Sequence, residues 1–387
     1  MSATFPFTTP RSLDNEPEAQ TLLASEGPVV LAKMGPIDIW LALSYAACKQ
    51  VLTDPRFSRE EATRPGGPVT IPSAANPLVL TSMEGGKHAR TRKLVASAFS
   101  PRMVATLEPR VQAIVDALLD AHPADLVAGL CTPLPTMVIC ELLGAPYSDA
   151  PDIRRWTGVL MTSVLTPEEL RQAENDMQGF LADLVEEKRV RPDDKLITAL
   201  VEAHDEGGHL TSAEMLANLQ MLLAAGHDTT VNQLGNSLLT LLRHPAEMRR
   251  LIDDPSLIDT AVDELLRYSR LMAATLPRVT TEAVELAGVR LEKGAAVLPI
   301  LSSANRDPSV FPDPDRLDLG RAGAAPLAMG FGPHYCLGAQ LAKLELRIAL
   351  TSVLKRFPGL RLAVDESELA YRMETNVRAL VSLPVTW

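Results

Sequence analysis

"TSAEMLANLQMLLAAGHDTTVNQLGNSLLTLLRHP", residues 211 to 245, constrains the fold more than any other stretch of the chain. Thr211 and Glu214 fit a capping box, in which each side chain satisfies the other residue's unpaired backbone amide. Pro245 stops the pattern. Apolar residues recur at Met215, Leu216, Leu219, Leu222 and Leu223, then at Val231, Leu234, Leu238 and Leu241. About 32 residues at 1.5 Å each predict a helix about 48 Å long, enough to cross a whole domain. Further helical patterns cover roughly residues 88–98, 102–121, 133–143, 149–164, 167–190 and 194–205. Another ends in "VDELLRYSR", and one runs through "AQLAKLELRIALTSVLKRF". Short strand-like runs flank them: "GPVVLAKM" and "IDIWLAL" near the start, "AVELAGVRL" and "AAVLPI" later, "LRLAVD" and "RALVSLPVTW" at the end. The expected class is mainly α with small β-sheets. No composition break marks a linker, so residues 1–387 read as one domain.

Net charge is −11, which opposes broad nucleic-acid or anionic-membrane binding, since both need a basic face. No stretch reaches the ~18 apolar residues of a membrane span. The first residues lack the basic and apolar regions of a signal peptide. Four cysteines, Cys48, Cys131, Cys140 and Cys336, show no C-x-x-C spacing. A disulfide scaffold is implausible at this length. The expectation is a soluble, reduced, cytoplasmic protein.

Four stretches carry chemistry. In "GFGPHYCLG" (330 to 338), Cys336 precedes a helix whose N-terminal N–H groups and dipole favour thiolate. A thiolate serves as nucleophile, redox switch or metal ligand; the bland alternative is a buried, inert cysteine. Gly330, Gly332 and Gly338 clear space for something flat and wide. Zinc would need two more ligands beside His334 and Cys336, and none lies nearby in sequence. A cysteine hydrolase with His334 as base has no supporting signature. In "AGHDTT" (224 to 230, with the preceding alanine), Gly226, Asp228, Thr229 and Thr230 are poor mid-helix residues. An acid beside an alcohol can relay protons; the alternative is a kink with its polar face in water. "DELLR" sets Glu264 and Arg267 three apart, and "HARTR" sets His88 and Arg92 four apart. Either pair alone reads as a solvated helical face.

Taken together, in this order and spacing, the chain resembles the cytochrome P-450 superfamily, the haem-thiolate monooxygenases, in its soluble actinobacterial type. "GFGPHYCLGAQLAKLE" is similar to the cysteine-ligand loop, "AGHDTT" to the oxygen-activation stretch, "ELLR" to the Glu-x-x-Arg motif, "NRDP…FPDPDRLD" to the meander and "KHARTRKLVASAFSP" to the helix that contacts haem propionates. The resemblance spans essentially the whole chain. It implies the cytochrome P-450 fold, with the long helix central over haem b (iron protoporphyrin IX). Cys336 becomes the axial ligand of the iron. His88, Arg92, Arg278 and His334 become propionate donors. Ala225 and Gly226 lie beside the oxygen space, and Gly338 lets its helix pass under the porphyrin. Asp228 and Thr229 become the proton-delivering pair. Glu264, Arg267 and Arg316 become a structural ion-pair network.

The resemblance also implies dioxygen and a small-molecule substrate, with electrons from a ferredoxin and its reductase, and no nucleic acid or membrane partner. Met221, Ala224, Ala273, Ala274, Leu276 and Val377 are expected to line an apolar substrate cavity suited to a mid-sized natural product. The expected reaction is hydroxylation or epoxidation. The alternatives are oxidative coupling that forms a C–C or C–N bond without oxygen insertion, and a non-catalytic haem sensor. Two departures stand out. Met329 occupies the place where the family usually carries phenylalanine seven residues before the cysteine, and "EGGKH" replaces the usual acidic-Pro-Pro-Glu-His lead-in.

Overall fold

Proline and capping residues set most helix boundaries. In this computed structural model, which describes residues 3–7, 17–161, 166–207, 210–272, 275–372 and 377–387, prolines open the helices Pro101–Asp120, Pro133–Leu143, Pro167–Val190 and Pro245–Asp253. The first helical position suits proline because its missing N–H would have had no partner there. Ser212–Arg243 is one continuous helix of 32 residues. Its capping box is complete: the Thr211 hydroxyl accepts from the Glu214 amide at 3.1 Å, and the Glu214 carboxylate accepts from the Thr211 amide at 3.0 Å.

The chain forms two compact units, each assembled from separated segments. The first comprises residues 1–77, 81–84 and 256–336; the second comprises 78–80, 85–255 and 337–387. Both units are discontinuous in sequence, so no linker composition marks their boundary.

The first unit holds the main sheet. Its strand order is Ala3–Thr4, Val29–Met34, Ile37–Ala42, Ala296–Pro299, Arg278–Thr280, Phe57–Ser58. Ile39 pairs with Ala296, and Arg278 with Val297, which brings the two sequence-distant strand pairs into register. In Val29–Met34 one side, Val30, Ala32 and Met34, packs with Ile39, Leu41 and Leu298, whereas on the other side only Val29 joins the cluster of Val51, Leu52, Phe57 and Leu327, and Leu31 and Lys33 are exposed. The strand-like "AVELAGVRL" is a hairpin, Val284–Leu286 against Val289–Leu291. Its turn residues Ala287 and Gly288 both have positive φ, 47° and 85°, as a two-residue primed turn requires.

The second unit is helical around Ser212–Arg243, which packs against Pro133–Leu143, Ala150–Met161, Pro167–Val190 and Ala339–Arg356. This helix is buried nearly all round, unlike an ordinary amphipathic surface helix. Its apolar residues fill the core as the sequence pattern predicts, with Leu216 only half-buried. Asn218, His227, Asp228, Asn232 and Asn236 are buried with them. Partners reach several of these groups. Asn218 Oδ1 accepts from the Leu80 amide at 2.8 Å, and Asn236 Nδ2 donates to the Arg378 carbonyl at 3.1 Å. Among the described residues no helix is long and apolar enough to cross a membrane.

Candidate functional site

The cysteine loop belongs to the first unit and leans on the helix Tyr45–Thr53. Residues 327–329 make one tight turn and Gly332–His334 another. Gly330 and Gly332 both have φ of 72°, in the left-handed region that glycine enters at little cost. A Cβ on Gly332 would sit 2.9 Å from the Leu52 carbonyl oxygen and 3.0 Å from Thr53 Cγ2. Gly332 is therefore required by the protein's own packing, a reason additional to clearance for a flat ligand. Phe331 packs on the core cluster of Val51 and Leu52, and Lys49 Nζ lies 4.4 Å from its ring centre. The Met329 carbonyl accepts from the Cys336 amide at 2.9 Å, so Met329 fixes the backbone that carries the sulfur. Cys336 is exposed, whereas Cys48, Cys131 and Cys140 are buried, and burial raises the pKa of all three thiols.

Arg278 leans on the same helix one carbonyl earlier. Its Nε donates to the Val51 carbonyl at 3.2 Å, and its Nη1 is buried with no hydrogen-bond partner. Burial lowers the guanidinium pKa to about 10, with the Glu84 carboxylate opposing that shift. A buried cation with a spare donor suits a carboxylate. His334 is half-buried in the cysteine loop.

Behind the loop lies a buried ion-pair network. Arg267 forks onto Glu264 at 2.7 and 2.8 Å and also donates to the Asn305 and Pro314 carbonyls, both at 2.9 Å. The third arginine is Arg321, not Arg316. Arg321 Nε lies 3.1 Å from each Glu264 oxygen, while Arg316 turns its side chain outward and offers only its carbonyl, to Arg321 at 2.8 Å and to Arg267 at 3.4 Å. The Pro312 and Asp313 carbonyls also accept from Arg321, at 2.7 and 3.3 Å, and help hold its guanidinium on Glu264. Asn305 Oδ1 accepts from the Leu327 amide at 2.7 Å, which joins this network to the start of the cysteine loop.

The second unit carries the other candidates. His88 and Arg92 lie one turn apart on Gly85–Ala96. His88 is buried, and its pKa is lowered by burial first and by the Arg92 charge second. Along Ser212–Arg243, Met221 is half-buried, Ala224 is buried and Ala225 is exposed, so one face of an otherwise buried helix opens there. The polar residues that follow do not face water as a simple kink would have them do. Asp228 is 3% exposed and His227 4%. Thr229 Oγ1 donates to the Ala225 carbonyl at 2.6 Å and Thr230 Oγ1 to the Gly226 carbonyl at 3.1 Å, the back-bonding that lets such residues sit within a helix. The His227 ring meets Thr157 Oγ1 at 2.8 Å through Nδ1.

Asp228 Oδ1 lies 3.3 Å from Arg372 Nη2. Burial raises the Asp228 pKa, and the Arg372 charge opposes it. Gly338 caps Ala339–Arg356, and a Cβ there would meet only Phe99 Cε1, at 4.0 Å. Leu276, in the first unit, is half-buried and Val377, in the second, is buried. Ala273 and Ala274 lie outside the described residues. Arg321, Asn305 and Arg372 were silent in the sequence, because each acts through partners distant along the chain.

The first unit carries an exposed thiol in a glycine-relieved loop and a buried arginine with a spare donor, and the second carries a histidine–arginine pair and an acid–alcohol step on its long helix; each is of a kind that haem-thiolate proteins use. Together with the mainly helical fold they define a haem-thiolate oxygenase. The chain belongs to the cytochrome P450 family, whose model matches residues 149–376. It is 43% identical to nocardicin C N-oxygenase of Nocardia uniformis subsp. tsuyamanensis over 99% of this chain and 98% of that one. It is 39% identical to vitamin D(3) 25-hydroxylase of Pseudonocardia autotrophica over 96% and 94%. Among solved structures, the cytochrome P450 enzyme CxnD for C–S bond formation in chuangxinmycin biosynthesis superposes with a TM-score of 0.90 at 33% identity, over 100% of this chain and 97% of that one. The protein is a P450 monooxygenase with haem b as its cofactor, and its relatives act on natural products.

Proposed function

We propose that this enzyme hydroxylates or epoxidises a mid-sized apolar natural-product scaffold, taking electrons from a ferredoxin and its reductase in the cytoplasm. Bound haem supplies dioxygen binding and activation at an iron that carries a thiolate ligand. Cys336 provides that thiolate. Arg278, His334, His88 and Arg92 bind the two propionates, Arg278 through its spare buried donor. Asp228 and Thr229 pass protons to the reaction, Asp228 as the acid and the Thr229 hydroxyl as its neighbour on the helix. Met221, Ala224 and Leu276 contribute apolar or small surface to substrate binding, as does Val377. Glu264, Arg267 and Arg321 hold the cysteine loop and take no part in the chemistry.

The observation that carries this reading is the buried Asp228 next to the half-buried Thr229 and the exposed Ala225, on a helix buried over most of its length. Turnover under isotopically labelled dioxygen tests it. Label in the product supports insertion. An unlabelled product with a new bond between two substrate positions supports the second reading, oxidative coupling, which the C–S bond-forming neighbour favours. Titration of the oxidised protein, read as the spin-state change that substrate causes, tests size. Tight binding of a small monoterpene with no response to larger scaffolds would overturn the substrate class.

A further inference from the structure

A buried carboxylate needs either a compensating charge or a proton. For Asp228 the cation within reach, among the described residues, is Arg372. Arg372 lies on the short strand Tyr371–Arg372, which pairs antiparallel with Ala379–Leu380. Its side chain is 35% exposed while that of Asp228 is 4% exposed, so the guanidinium runs from the surface inward to the carboxylate. The same Nη2 lies 3.2 Å from Asn232 Oδ1. Asn232 Nδ2 donates to the Asp228 carbonyl at 2.7 Å, which fixes the amide with its oxygen toward Arg372. Both residues one turn apart on the helix thus present oxygen to one guanidinium. Asp228 Oδ2 is buried and has no hydrogen-bond partner. The two carboxylate oxygens are therefore inequivalent.

The remaining charges nearby do not replace Arg372. His227 turns its ring to Thr157 and is kept neutral by burial, with the Arg154 and Arg372 charges adding to that effect.

We propose that Arg372 is the positioning residue of the proton relay: it fixes Oδ1 of Asp228 toward the surface strand and leaves Oδ2 as the oxygen that accepts and passes the proton. This rests on the reading of Asp228 and Thr229 as the relay. The step transfers one proton from bulk water to the carboxylate and on to the reaction, and changes no oxidation state. The Arg372 charge favours the ionised form of the acid against the burial that opposes it, and the contact keeps the carboxylate in one orientation.

Infrared titration of the haem-loaded protein tests the pairing independently of turnover. The carbonyl band of a protonated buried carboxylic acid that vanishes in Asp228→Asn reports Asp228. In Arg372→Gln this band is expected to develop at a pH about one to two units higher than in the wild type, because the opposite charge is gone. Arg372→Lys should return it most of the way. With substrate, Arg372→Gln should lose product per electron about tenfold, with reducing equivalents diverted to peroxide and substrate affinity unchanged. An Asp228 band that titrates identically in wild type and Arg372→Gln overturns the proposal. Full coupling in Asp228→Asn removes the relay reading itself, and with it this role for Arg372, without touching the wild-type pairing that the infrared titration reads.

Discussion

Arg267 donates to the Asn305 carbonyl at 2.9 Å, and through the Asn305 side chain the buried Glu264–Arg267 pair reaches the Leu327 amide, 2.7 Å away. The ion pair is thereby coupled to the loop that ends in Cys336. Replacing Asn305 with Ala leaves the pair in place but strips a buried amide of its acceptor, at about 1–3 kcal/mol. We expect a lower denaturation midpoint and fewer haems bound per chain on purification, measured by absorbance against protein concentration.

Arg321 and Arg316 should behave oppositely. Glu264 and Arg267 have almost no exposed side-chain surface, and Arg321 supplies the second guanidinium on Glu264. Arg321→Met should cost about 3 kcal/mol, the scale of removing one partner from a buried charge cluster. Arg316→Met touches an exposed side chain and should stay within about 0.5 kcal/mol. Urea unfolding of the two variants separates them, and equal losses would show that the network extends to the Arg316 side chain.

Gly332 and Gly338 make a second contrast. Gly332→Ala combines positive φ with a Cβ 2.9 Å from the Leu52 carbonyl, so it should destabilise the haem-free protein by about 2 kcal/mol or more. Gly338→Ala meets protein only at ordinary contact distance. It should leave haem-free stability unchanged and weaken haem binding, which a haem titration followed by absorbance measures.

The sequence carried the local features well. The capping box at Thr211 and Glu214, the helix end just before Pro245 and the pairing of Glu264 with Arg267 all depend on residues a few positions apart. It was uninformative where partners are distant. Arg372 reaches Asp228 across 144 positions and Arg321 reaches Glu264 across 57, and no periodicity announces either. Gly332 was legible as a glycine whose reason was only partly visible, because its closest neighbour is a carbonyl on another helix. The burial of His227 and Asp228 was hidden for a related reason. Polar residues in mid-helix normally face solvent, and only the packing of neighbouring helices on every side of this one reverses that.

Two buried titratable groups should set the pH range of stability. Glu345, on Ala339–Arg356, is fully buried and its pKa is raised by burial to about 8, while the unfolded chain would titrate near 4.5. Between these values the folded state binds the extra proton, so stability is lost as pH rises from about 4.5 to 8. His227 has the opposite sign. Burial, with the charges of Arg154 and Arg372, lowers its pKa from 6.5 to about 4, so the unfolded chain binds the extra proton and stability is lost as pH falls from about 6.5 to 4. At about 1.36 kcal/mol per pKa unit the two effects are of order 5 and 3 kcal/mol. Glu345→Gln should therefore stabilise the protein at pH about 8 and change little at about 4.5, whereas His227→Gln should flatten the acid limb alone. Denaturant midpoints of the three proteins across this pH range give the test. A wild-type alkaline limb that persists unchanged in Glu345→Gln would assign it to another group.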